Sequence, residues 1–152
     1  MTEFIILCSR RSQWNAIGII TIATKPSDLR VLDRCNELWR HNILHVCGYE
    51  HYRNDLPYYA QYPASVYNWA VHTEGVSLRE GKGIFDGVIL GGFDNNPGSV
   101  LDRGSTSEVI SATREIIESV GPKRLILGAD CTIPRSVSLD RLELIRRVAA
   151  ES

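Results

Sequence analysis

Two residues at the end of one apolar run and a third near the end of another carry the chemistry legible in this chain. His45 and Cys47 close the run Ile43-Leu44-His45-Val46-Cys47, which leads into Gly48. Residues two apart on a strand point to the same face, so an imidazole and a thiol would project side by side. Cys131 follows a second strand-like run, Leu125-Ile126-Leu127-Gly128-Ala129-Asp130, 84 residues after Cys47. If both strands lie in one parallel sheet, the three side chains can converge at one end of it. One nitrogen and two sulfurs suit Zn²⁺, and three protein ligands leave the fourth position open, as in catalytic zinc sites.

Other polar residues follow the strand-like runs. His72 and Glu74 come after Ser65 to Trp69 and could supply a fourth ligand or a general acid. Asp94 and Asn95 come after Gly87 to Gly91, where turn formation competes with a ligand contact. Asp130 is placed to orient His45 by accepting its ring N–H. The other two cysteines, Cys8 and Cys35, have no partner pattern, and Cys35 falls on the apolar stripe of a helix.

These residues need a sheet with helical crossovers, and the pattern after residue 25 supplies one. Ser27 can cap a helix with Leu29, Leu32, Cys35, Leu38 and Trp39 on one face. A helix is expected near Asn54 to Gln61 within a tyrosine-rich stretch, and a short one over Gly75 to Gly83. Ser105-Thr106-Ser107-Glu108 has capping-box form ahead of Val109, Ala112, Ile116 and Val120. Ser138 opens a final helix with Leu139, Leu142, Ile145 and Val148 inward. Strands alternating with helices predict an α/β fold with about four parallel strands after residue 40. Residues 1–24 form an atypical segment. Phe4 to Leu7 and Ile17 to Ala23 both look like strands, with no helix evident between them, so an antiparallel hairpin is one expectation.

The 152 residues suffice for one domain. Seventeen basic and 18 acidic residues give a net charge of −1, which offers no support for a nucleic-acid or anionic-membrane partner. The longest apolar run, Ala16 to Ala23, is too short to span a bilayer. Four widely spaced cysteines without a disulfide-scaffold pattern fit a cytoplasmic location.

From about Lys25 onward the chain resembles the C-terminal half of a uroporphyrinogen decarboxylase superfamily protein. The resemblance rests on Lys25-Pro26-Ser27-Asp28-Leu29, Asn42 to Gly48, Leu90-Gly91-Gly92-Phe93-Asp94-Asn95 and Leu127 to Pro134. It implies a (β/α)₈ barrel, of which residues 25–152 would supply strands five to eight, with the active site at the strands' C-terminal ends. Residues 1–24 match nothing in the family at that point. Two chemistries compete within the superfamily. The decarboxylase branch uses N-terminal residues absent here and a histidine after the last strand, where this chain has Gly128-Ala129-Asp130-Cys131. The corrinoid-dependent methyltransferase branch binds zinc through a His-x-Cys pair and a distant Cys, which His45, Cys47 and Cys131 match. The resemblance thus implies zinc-dependent methyl transfer from a corrinoid, carried by a partner, to a thiol. Uroporphyrinogen decarboxylation is the alternative, and a non-catalytic fragment or subunit is the other. Half a barrel leaves apolar side chains and two sheet edges open. Self-association, or a separate N-terminal half-barrel, is therefore expected rather than a free monomer.

Overall fold

The computed structural model describes the backbone of residues 3–7, 17–47 and 53–152, and side chains from residue 24 onward within those ranges. Twelve elements follow in order: β1 (Glu3–Leu7), α1 (Ile17–Leu38), β2 (Asn42–Val46), α2 (Leu56–Tyr59), β3 (Val66–Trp69), α3 (Val71–Glu74), α4 (Leu78–Ile84), β4 (Val88–Phe93), α5 (Val100–Arg103), α6 (Thr106–Val120), β5 (Leu125–Ala129) and α7 (Leu139–Ala150). The five strands form one sheet in the order β1-β2-β3-β4-β5, every pair parallel. Each crossover advances the sheet in the same direction. Right-handed crossovers that never reverse place all connecting helices on one face, an arrangement consistent with part of an α/β barrel.

The core reports the same sidedness. Leu44, Val46, Tyr67, Trp69 and Ile89 pack with Leu32, Leu56, Tyr59, Leu78 and Phe85 from the helices and their connections. A second cluster, Phe93, Leu101, Val109 and Ile145, continues it under α5, α6 and α7. Tyr58, Tyr59 and Tyr62 pack on one another with ring centroids 5.3–5.8 Å apart, and Tyr62 is fully buried. These tyrosines are crossover packing; Tyr49 and Tyr52 lie outside the described residues.

The N-terminal expectation is overturned. Residues 17–23 are helical, not a strand, and β1 pairs parallel with β2 in the register Phe4↔Ile43 and Ile6↔His45. A parallel pair needs a crossover, and α1 provides it. A short apolar run rich in branched residues reads equally as strand or helix; the parallel pairing decides it. Ser27 is therefore not an N-cap. It lies inside α1 just after Pro26, and its hydroxyl donates to the Thr24 carbonyl at 2.6 Å. α1 buries Leu32 fully, but Leu38 and Trp39 at its end are exposed.

From β2 onward the expected elements are present, with two short additions, α3 and α5. The capping box at Ser105 and Glu108 opens α6, and Val109 and Thr113 are its fully buried residues. On α7, Ile145 and Val148 are buried, whereas Leu139 in the first turn is 81% exposed rather than inward. The sheet face away from the helices is only partly open. Ile43 and Val66 are buried, while Ile126 on edge strand β5 is 43% exposed.

Candidate metal centre

His45 stands on β2 and Cys47 immediately follows it; Cys131 follows β5 by two residues. One ligand atom from each of the three lies within 4.8 Å of the others, and the two sulfurs are 4.0 Å apart. β2 and β5 are separated by three interstrand steps, about 14 Å in a flat sheet. Two thiols reaching inward across that gap would still stand well apart. Their proximity requires the C-terminal ends of the strands and the following loops to bend toward one another, as a barrel-like curvature does.

The imidazole is held on one side. His45 Nδ1 bonds to Asn68 Oδ1, directly across the sheet in the register His45↔Asn68. The Asn68 amide cannot be reversed, because its NH₂ group donates to the Leu90 carbonyl at 2.9 Å and the Ala129 carbonyl at 3.3 Å. Oδ1 must then accept, so Nδ1 carries the proton and Nε2 presents its lone pair. Nε2 is buried and has no hydrogen-bond partner among the described residues. An orphaned buried nitrogen is costly unless something binds it, and a ring nitrogen of His45 lies within 4.8 Å of both sulfurs. Burial pushes the His45 pKa below its usual value, against the opposing effects of Asn68 and Asp130, which favours the neutral form that a metal requires. The donor set fits zinc.

Asp130 does not hold His45. Asn68 occupies that position, and Asp130 turns to His72 instead. Asp130 Oδ2 accepts from the His72 backbone N–H at 2.8 Å and lies 2.7 Å from His72 Nδ1. The carboxylate is buried, and its Oδ1 has no partner among the described residues, while the His72 side chain is 48% exposed. The hydrogen bond that His72 donates to Asp130, with the charges of Asp130 and Asp94, outweighs burial and raises the His72 pKa. His72 and Asp94 line a cavity of about 420 Å³ with Ser99, Glu115 and Ser119.

Glu74 is buried and fully engaged. Its carboxylate accepts from the Asn54 backbone N–H at 2.6 Å and the Asn54 side chain at 2.5 Å, and Asn54 also donates to the Cys47 carbonyl at 3.1 Å. Glu74 thereby holds the chain just beyond Cys47. Asp94 accepts from the backbone and side chain of Asn96, an Asx turn. Asn95 donates to the Thr132 carbonyl at 3.1 Å, tying the β4 loop to the segment after Cys131. The structure thus gathers His45, Cys47 and Cys131, puts His72 with Asp130 on the rim, and leaves Glu74, Asp94 and Asn95 as loop organisers. Asn68, the partner of His45, is the candidate-site residue that sequence reasoning missed. Its only signal was a polar side chain inside the apolar run Val66 to Trp69.

A second cavity of about 510 Å³ lies against the helix side of β5, lined by Leu125, Leu127, Leu142, Ile145 and Arg146 among others, and includes none of the three candidate ligands. No helix among the described residues is long and apolar enough to cross a membrane. Comparison with protein-family models and with curated proteins finds no match to this chain.

Proposed function

We propose that this chain provides the zinc-binding part of a methyltransferase that moves a methyl group from a corrinoid on a partner protein to a thiol. The observation that carries the reading is the neutral His45 tautomer. A ring nitrogen of His45 and the sulfurs of Cys47 and Cys131 lie within 4.8 Å of one another at the C-terminal end of a parallel sheet, and His45 Nε2 has no partner among the described residues. β2 to β5 would then be strands five to eight of a (β/α)₈ barrel, with β1 in the place of the strand before them.

Zinc bound there would hold an acceptor thiol as its nucleophilic thiolate. His45, Cys47 and Cys131 would be its ligands, leaving one position for that thiol. Asn68 keeps His45 in the binding tautomer. Glu74 and Asn54 fix the segment that carries Cys47. His72, oriented by Asp130, is the rim group able to take up the proton that the thiol gives up. The barrel would be completed by a second copy or by an N-terminal half-barrel, because β1 and β5 each pair on one side only among the described residues.

Purified protein, with and without a candidate N-terminal half, is assayed for methyl transfer from methylcobalamin to small thiols. Zinc-dependent transfer lost in Cys47→Ser and Cys131→Ser is the expected result. A metal-free protein that decarboxylates uroporphyrinogen would contradict the proposal.

A further inference from the structure

We infer that Cys47 and Cys131 form a reversible redox site, closing into a disulfide on reaction with a low-molecular-weight disulfide such as oxidised glutathione. The inference uses the same side chains as the zinc reading but does not require zinc to bind.

The sulfurs are 4.0 Å apart, close to van der Waals contact, so a bond of about 2.05 Å needs each to move by only about 1 Å. Both cysteines lie beyond the last residues of their strands. Both are half-buried, so a small disulfide can reach them. Cys131 Sγ also lies 3.9 Å from the exposed Thr132 hydroxyl. Cys35 stands on α1, in a different part of the chain, and serves as an internal comparison.

The exchange balances. One protein thiolate attacks a sulfur of the added disulfide, forming a mixed disulfide and releasing one thiol. The second protein thiolate attacks the protein sulfur of that mixed disulfide and releases the second thiol. Two protein thiols are oxidised and one small disulfide is reduced. Closure removes two of the three candidate ligands at once and ties the segment after β2 to the segment after β5. A bound metal would leave, and a thiol reductant would restore the site.

The test is peptide mapping of the whole protein after incubation with oxidised glutathione, in zinc-loaded and chelator-treated samples. Trypsin would place Cys47 in peptide 41–53 and Cys131 in peptide 125–135. The expected result is a single cross-linked pair of these peptides lacking two hydrogens, faster to form without zinc and reversed by dithiothreitol. The unlinked pair should fall by at least tenfold while the peptide containing Cys35 stays reduced. Stable glutathione adducts on Cys47 and Cys131 without a cross-link would overturn the inference, as would cross-links shared with Cys8 or Cys35. Zinc content measured alongside separates the two readings. A cross-link in a protein that never holds zinc keeps this inference and loses the zinc one, and zinc retention with no cross-link does the reverse.

Discussion

Replacing Asn68 with alanine tests the site where its geometry is most specific. The amide is 7% exposed and satisfies three partners: His45 Nδ1, the Leu90 carbonyl and the Ala129 carbonyl. Alanine strands the buried His45 N–H and removes the one group among the described residues that fixes its tautomer. A stranded buried donor costs about 1–3 kcal/mol of folding stability. Loss of a partner that orients a metal-binding histidine costs about 10–100-fold in metal affinity, or about 1.4–2.8 kcal/mol. The two effects are measured separately, stability by urea denaturation of metal-free protein and affinity by competition with a zinc chelator. Asn68→Ser, which keeps a small hydrogen-bonding group, serves if the alanine variant folds poorly, and should fall between it and the parent. Zinc affinity unchanged within about threefold, alongside a clear loss of stability, would show that Asn68 only packs and that the tautomer reasoning is wrong.

Three further outcomes follow from the same structure. Asp130 raises the His72 pKa, so folded His72 holds its proton where the unfolded chain, titrating near about 6.5, has released it. That contribution is complete below the unfolded value and is lost as pH rises through the folded one. The stability gap between the parent and His72→Gln, from urea midpoints, should therefore be larger near about pH 5.5 than near about pH 8.5, and a gap that widened with pH would refute the pairing. Gly81→Ala should destabilise by about 1–3 kcal/mol or prevent folding, because its Cβ would fall 2.0 Å from the ring of fully buried Trp69; an unchanged thermal midpoint would contradict this packing. Glu74→Gln keeps the shape but turns a donor toward Asn54, and should cost about 1–3 kcal/mol in a urea titration, whereas a neutral result would mean Glu74 does not hold the segment beyond Cys47.

Much of this arrangement was legible because it depends on local rules. The capping box at Ser105 and the stripe behind it mark α6 without reference to the rest of the molecule. The i, i+2 spacing of His45 and Cys47 places both at one strand end, and a parallel sheet puts the C-terminal end of Leu125 to Ala129 at the same edge. What stayed hidden depends on tertiary register. Residues 17–23 carry a run that suits strand or helix, and only the pairing of β1 with β2 makes them a crossover. Asn68 lies opposite His45 because of the alignment between β2 and β3, which no single strand encodes. Asp130 is expected from the sequence to accept from His45, but the Asn68 amide holds that imidazole. The fold gave the carboxylate to α3, where His72 offers it both a backbone and a ring N–H.

The most direct test of the central claim is the metal content and coordination of the purified chain, read by elemental analysis and zinc X-ray absorption. The account predicts about one zinc per chain with two sulfurs near about 2.3 Å, one imidazole nitrogen near about 2.0–2.1 Å and a light or exchangeable fourth ligand. His45→Ala, Cys47→Ser and Cys131→Ser should each lose most of it. A folded protein that takes up no zinc at micromolar concentrations, or one whose zinc has no sulfur neighbours, would contradict the account.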